Sequence, residues 1–341
     1  MNNYTKISSY LSLFVTVFLI LPNFSQAATS ITKDNITWTF ANDYPCGAYI
    51  NGDPWCVGPV TITAISPAST HNLATDRIQN GSMINPGSVI NGYDNQFGGS
   101  VSIAYTAALN VARPGETDLS VSNPLVISSG NSLVSTKTND IAHSRPQIVD
   151  ASVLTIVASA PAVGDFRPPY SGMDKVSHWN SANIRWNLLP KLNKSTITSI
   201  PTLASLETSM NKLWLDHGLG TFVGREFHPS NNMPDYGGAM AVLTSKIALS
   251  LLLDYNQGEI QNLMYNFLQY GIDLYGITDS YPGDIFLTSS QGGLWMGGGG
   301  HGLGRKWPML FTGLMFNDQN ILKYTDGVNY PIFQEEQQVY P

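Results

Sequence analysis

The sequence predicts an α+β protein in two parts, a β-sandwich-like domain followed by an α-helical domain. From residue 36 to about residue 161, short runs rich in Thr, Ser, Val and Ile alternate with turn residues. After residue 200, apolar residues recur at helical spacing. Between these parts, Pro168 and Pro169 oppose both helix and central strand. We therefore expect a β-rich domain at 28–161, an irregular connector at 162–200 and a helical domain at 201–341.

The first 27 residues have the features of an export signal. Lys6 precedes an apolar run over residues 10–22, and Ser25, Gln26 and Ala27 offer a cleavage site of mostly small residues. The run is shorter than the roughly 20 residues that a membrane-spanning helix needs, although a retained anchor is an open alternative. We therefore expect a secreted or periplasmic protein with no stable membrane insertion after cleavage.

Charge excludes one class of partner. Charged residues make up 12% of the chain and the formal net charge is −7, with no basic run long enough to follow a phosphate backbone. Nucleic acid is therefore not an expected partner.

The two cysteines flank a turn signal. Cys46 and Cys56 lie on either side of Asn51-Gly52, a dipeptide typical of a β-hairpin turn. A turn at Asn51 places the two cysteines opposite each other. In an exported protein this arrangement favours a disulfide over free thiols.

Four segments have helical periodicity: residues 203–214, 236–255, 257–275, and a weaker one beginning near Arg305. Consecutive helices with a short connection form hairpins, and hairpins repeated around an axis build an α/α toroid. The predicted helices are too few to close a complete toroid. The helical domain is therefore expected to resemble part of an α/α toroid, and a partner chain that completes it is an open alternative.

Polar residues of the helical domain concentrate in two connections. The first spans residues 214–238 and the second is GGGGHGLGRKWP, residues 297–308, which we call the glycine loop. Connections held by rigid helices are favourable places for binding groups. The first connection carries Asp216, His217, Arg225, Glu226, His228, Asn231, Asn232, Asp235 and Tyr236.

Two kinds of site are disfavoured by spacing. The glycine loop lacks the order G-x-x-x-x-G-K-[ST], because Lys306 is followed by Trp307, so it does not predict a nucleotide site. His217 and His228 are not spaced as helical metal ligands, and we expect neither a metal nor another cofactor. An anion at the start of the following helix, such as a sugar carboxylate, is physically reasonable.

These residue types favour β-elimination on an acidic polysaccharide. In that reaction a positive or hydrogen-bonding group neutralises a uronate carboxylate, and a His or Tyr removes the neighbouring proton. The catalytic candidates are His301, Tyr236 and His228. The substrate-binding candidates are Arg305, Lys306, Arg225, Asn232 and Asp235.

Other interpretations are open. A glycoside hydrolase would need two carboxylates, for which Glu226 and Asp235 are the nearest pair. A non-catalytic glycan-binding or cell-envelope protein would need no catalytic group. Asp216 and His217 can simply end a helix, and Asp235 can cap the next one.

Several stretches also resemble a known group of proteins. NGDPWCVGPVTITAISP, FRPPYSGMDK, HPSNNMPDYGG and GGGGHGLGRKWPMLFTGL are similar to sequences of large secreted bacterial proteins with no assigned activity. That group joins an N-terminal β-domain to a helical region similar to the α/α toroids of polysaccharide lyases. The resemblance implies the same two-part fold here. Cys46 and Cys56 are departures from the group, and its members continue beyond the QEEQQVYP with which this sequence stops.

Overall fold

The computed structural model describes residues 26–87, 91–95, 105–141, 146–217, 229–234, 236–281, 294–295 and 300–338. Residues 1–25, which hold most of the predicted export signal, lie outside these ranges. The predicted α+β class is confirmed, because a mixed β-sheet precedes a set of helices. Among the helices in these ranges, none is long and apolar enough to cross a membrane.

The β-rich part forms one mixed sheet and a small ribbon. Eight strands belong to the sheet, in the order β7-β9-β10-β3-β2-β4-β8 with β1 against β2, while β5 and β6 pair separately. β3 and β10 are parallel, and the other pairs are antiparallel. The strands are β1 (Gln26–Lys33), β2 (Ile36–Ala48), β3 (Pro54–Val57), β4 (Val60–Ser66), β5 (Thr70–Asn72), β6 (Arg77–Gln79), β7 (Ser82–Ile84), β8 (Leu125–Ile127), β9 (Asn131–Thr138) and β10 (Ile148–Val157).

This sheet differs from the expected sandwich of two stacked sheets. The first half of β2 pairs with β4, and its last three residues, from Cys46 to Ala48, pair with β3. One long strand therefore joins both halves of the sheet, which curls instead of separating into two layers. Turn spacing in a sequence shows where strands end but not which strands pair, so it could not reveal this arrangement.

The hairpin at the cysteines is as predicted. Cys46 and Cys56 are directly opposite in the β2–β3 register and form a disulfide. The turn lies at Asn51-Gly52, where Gly52 has a φ of +87° that favours glycine. The backbone closes the turn with a hydrogen bond from the Gly52 N–H to the Tyr49 carbonyl, 2.9 Å.

Five α-helices lie in the described part of the chain. α3 begins with a capping box, in which the side chains of Asn256 and Glu259 each accept a backbone N–H of the other. α4 ends at Asn317 in the left-handed conformation, with φ of +55°. The helices are α1 (Leu203–Met210), α2 (Gly237–Leu251), α3 (Gln257–Asp279), α4 (Lys306–Phe316) and α5 (Gln319–Leu322). The connector contains only short 3₁₀ turns.

Both faces of the central strands are buried. Leu133 and Leu154, paired across β9 and β10, belong to an apolar cluster inside the curled sheet. Their neighbours Val134 and Val153 belong to a second cluster, which includes the buried faces of all five helices. Because side chains alternate along a strand, one sheet contributes to two cores. The helical part is therefore packed on the sheet.

A buried arginine of the connector ties these parts together. The Arg167 side chain is 0% exposed; its Nε donates to Asp53 (2.6 Å), and its Nη1 and Nη2 donate to the two carboxylate oxygens of Asp273 (2.9 and 2.7 Å). Asp53 immediately precedes β3, whereas Asp273 lies on α3. Burial alone would lower the pKa of Arg167, but the two carboxylates raise it above its usual value and hold the guanidinium charged.

Candidate functional site

The two polar connections meet at the start of α2. A Cβ added to Gly237 would lie 2.2 Å from the carbonyl oxygen of Gly300 and 2.3 Å from that of His301. No side chain fits at that distance, so glycine at position 237 allows the glycine loop to contact the helix backbone. The contact brings together the described ends of segments that are far apart in sequence.

This contact places two predicted catalytic residues side by side. The Tyr236 and His301 rings pack edge to face, with centroids 4.9 Å apart and planes at 81°. Tyr236 is 41% exposed and His301 is half-buried, so both residues are partly accessible from solvent. Tyr236 is also the N-cap residue of α2, whose backbone therefore fixes its position.

Arg305, four residues after His301, lies in a buried ion pair. Its Nε and Nη2 each donate to one carboxylate oxygen of Asp216 at 2.9 Å, and both side chains are almost fully buried. Nη1 donates to the carbonyl oxygens of His301 and Leu303, at 3.0 and 2.9 Å. Asp216 also accepts the Tyr270 hydroxyl at 2.9 Å. Arg305 therefore fixes the glycine loop to the end of the other connection.

The other backbone and charged groups of the loop hold residues near the C-terminus. The N–H of Gly302 donates to the Gln334 side chain, and the N–H of Gly304 donates to the Glu335 carboxylate, each at 2.7 Å. Lys306 forms an ion pair with Glu336 at 2.8 Å. Burial raises the pKa of Glu335. The anion expected at the start of α4 is thus supplied by this chain's own carboxylates, whereas sequence reasoning had assigned Arg305 and Lys306 to a substrate.

Asn232 is the remaining substrate-binding candidate within the described ranges. It is 3% exposed, and neither its amide nitrogen nor its amide oxygen has a hydrogen-bond partner there. A buried amide without a partner is unusual in a folded protein and is typical of a site that takes a ligand or ordered water. Arg225, Glu226, His228 and Asp235 lie outside the described residues.

Sequence reasoning gave too little weight to several residues around the site. Asp216 is predicted as one of the polar residues of the first connection, which can simply end a helix, and the structure makes it the partner of Arg305. Tyr270 falls within the predicted helix at 257–275, but the sequence singles out neither it nor Gln334 and Glu335. Their signal in the sequence is weak, because the residues that bond to one another are separated by between 31 and 89 positions.

His217 is buried next to Asp216, the partner of Arg305. The ring lies against Tyr93 and Tyr170, with centroids 5.5 and 5.4 Å away, and Nδ1 is 3.3 Å from the Tyr170 hydroxyl oxygen. That oxygen accepts the Asp216 N–H at 3.0 Å, which leaves its own proton to be donated to Nδ1. Burial lowers the pKa of His217 to about 3, so the ring is neutral at physiological pH.

This burial predicts a loss of stability in mild acid. The pKa of His217 is depressed in the folded state, so below pH 6.5 the unfolded chain gains a proton that the folded chain does not. Between pH 7 and pH 5 this difference should lower the free energy of unfolding by about 2 kcal/mol relative to a His217→Gln variant. Urea unfolding of both proteins at several pH values measures the difference. If the free energies of unfolding of the two proteins change with pH in parallel, burial of His217 does not cause the loss of stability.

Within the described ranges, no three His, Cys, Asp or Glu residues are grouped so that they could hold a metal ion. The chain matches no family model, no curated protein and no solved structure.

Proposed function

We propose that this protein is an exported, carbohydrate-active protein that cleaves a uronic-acid-containing glycan by β-elimination, with His301 and Tyr236 as its acid–base pair. The observation that supports this most is the packing of the two rings at 4.9 Å on an accessible surface. A histidine imidazole and a tyrosine phenol are side chains that can serve as general base and general acid. Their rigid backbone supports also favour a fixed geometry for the reaction.

In the proposed reaction, His301 removes the proton next to the uronate carboxylate. The electron pair forms a carbon–carbon double bond, the glycosidic C–O bond breaks, and Tyr236 donates its proton to the leaving oxygen. The carboxylate must be neutralised while charge develops on it. Asn232 can donate its unpaired amide N–H for this purpose, and Arg225 and His228 belong to the same connection. Arg305 acts as a positioning residue.

The finer architecture belongs to the same proposal. Helices α1 to α4, packed on the curled sheet, are taken to be part of an α/α toroid of the kind found in polysaccharide lyases, with a second chain completing it. The sequence stretches that resemble secreted proteins of that design support this, as does the expected export signal.

The lyase proposal predicts a product that absorbs ultraviolet light. Purified protein incubated with alginate, glucuronan or pectate should release unsaturated oligosaccharides, and His301→Ala should lower the rate at least 100-fold because its base is lost. His71→Ala is the control, because His71 is a half-exposed histidine paired with Asp76 on the small ribbon. Thermal unfolding should show that both variants are folded. If no uronic-acid polymer yields an absorbance change, β-elimination is wrong, and reducing ends released without unsaturation would indicate hydrolysis.

One observation favours a second candidate, a non-catalytic glycan-binding protein of the cell envelope. Arg305 and Lys306 both hold carboxylates of this chain, so neither is poised to neutralise a substrate. Glycan-array binding that survives His301→Ala, with no turnover, would support this candidate over the lyase.

A further inference from the structure

A cleft of about 470 Å³ lies where the connector meets the C-terminal end of α3. It shares no lining residue with the His301–Tyr236 pair. Its walls include Pro169, Gly276 and the ring of Tyr275, which is half-buried, and the thioether of Met173 is 75% exposed at its edge. A concave surface lined by apolar and aromatic side chains together with a few polar groups is typical of a ligand site. The volume is suited to a small ligand of about two sugar rings.

The cleft is lined by two carboxylates. Asp174 and Asp279 are both exposed and both line it. Asp279 accepts the Tyr324 hydroxyl at 3.0 Å, which fixes its carboxylate, and Asp174 is held by His178 at 2.8 Å. Neither of these contacts uses all the lone pairs of a carboxylate. Both side chains therefore keep acceptor capacity that faces solvent.

Two aromatic residues that line the cleft, Trp179 and Tyr275, hold each other in place. Trp179 packs edge to face on Tyr275, with centroids 6.0 Å apart, and its indole N–H donates to Asp318 at 2.9 Å. Burial and the nearby carboxylates of Asp279, Asp318 and Asp174 together raise the pKa of Tyr275 to about 12. Carboxylates thus lie near this ring. A π-face in a negative field attracts a cation and disfavours an anion.

We propose that this cleft binds a sugar that carries a free amino group, with the ammonium between Tyr275 and Asp279 and the ring against Met173. A sugar of this kind combines an apolar ring face, hydroxyl donors for Asp174, and one positive charge. This ligand class is separate from the acidic glycan proposed for the His301 site. Its test is accordingly independent of that activity.

The test is calorimetric titration of the full chain with fully deacetylated chitotetraose. The matched ligand is the N-acetylated tetrasaccharide, which has the same rings without the charges, and spermine supplies the charges without the rings. The deacetylated sugar should bind at least about tenfold more tightly than either, since a charge-assisted contact contributes at this level. Asp279→Asn, which keeps an acceptor for Tyr324, should weaken binding about tenfold. Asp254→Asn, an exposed carboxylate elsewhere, should not.

Four outcomes would overturn the proposal. Equal binding of the acetylated sugar would show that charge is not recognised, and equal binding of spermine would show that the ring is not. Affinity unchanged in Asp279→Asn, or no binding of deacetylated chitotetraose to a folded protein, would place the ligand elsewhere or exclude it. The uronan assay depends on His301, so failure of one proposal leaves the other standing.

Discussion

Replacing Arg167 with alanine is expected to lower the free energy of unfolding by about 3–5 kcal/mol, because it leaves two carboxylates buried without their cation. Asp273 would keep only the backbone N–H of Tyr170, at 3.2 Å, and Asp53 only the side-chain N–H of Asn51, at 2.8 Å. Since Asp53 belongs to the β-rich part and Asp273 to α3, the loss should also loosen the packing between them. Urea unfolding followed by circular dichroism measures the change.

The control for this prediction is an ion pair at the surface. Lys194 and Asp254 lie 3.3 Å apart, and both side chains are more than one third exposed. Lys194→Ala should therefore leave the urea concentration at the midpoint of unfolding nearly unchanged. Arg167→Lys keeps the charge but cannot form the planar, two-sided contact, and it should fall between the wild type and Arg167→Ala. Equal stability of Arg167→Ala and Lys194→Ala would show that the buried network contributes nothing net.

Arg305→Ala is expected to have a comparable effect, about 3–5 kcal/mol, because Asp216 would be left charged and fully buried. Two backbone carbonyls of the glycine loop, those of His301 and Leu303, would also lose their donor. The loop should then no longer hold His301 against Tyr236. Any activity that depends on the two rings should fall together with the stability.

This variant also separates two roles for Arg305. A positioning residue affects stability and rate in parallel, whereas a substrate-binding cation would raise KM in a protein of normal stability. Lys306→Ala is the neighbouring comparison: the Lys306 side chain is 24% exposed and that of Arg305 is 1% exposed, so loss of Lys306 should cost less than loss of Arg305. If Arg305→Ala unfolds like the wild type but binds uronans poorly, the role predicted from the sequence is correct and the structural role is minor.

The burial of Arg305 changes how the glycine loop is understood. In the sequence, Arg305 and Lys306 follow a run of glycines at the predicted start of a helix, where we expect both cations to face solvent. In the structure, Asp216, Glu335 and Glu336 meet those cations and the loop's backbone N–H groups. A helix start attracts any anion within reach, and a carboxylate of the same chain has a high effective concentration. Within the described ranges, His301 and Tyr236 stay partly accessible and form no ion pair with these carboxylates.

Local features were determined by the sequence alone. The turn at Asn51-Gly52 and the cysteines on either side predicted the disulfide, because a hairpin turn fixes which residues face each other. Apolar periodicity located α1 to α4, since a helix that packs on a core must place its apolar residues on one side. These properties depend on residues a few positions apart, and the residue types themselves carry the information.

The tertiary structure decided everything that joins distant residues. It replaced the expected sandwich with one curled sheet, paired Arg167 with two elements, and brought Asp216 to Arg305 across 89 positions. It also placed His301 on Tyr236, a contact that no spacing rule predicts. A charged residue has several possible partners of opposite charge in the sequence. Burial selects among them, because a charge that is buried without a partner is costly. The sequence supplied the reacting groups, and the packing of α2 against the glycine loop determined which of them meet.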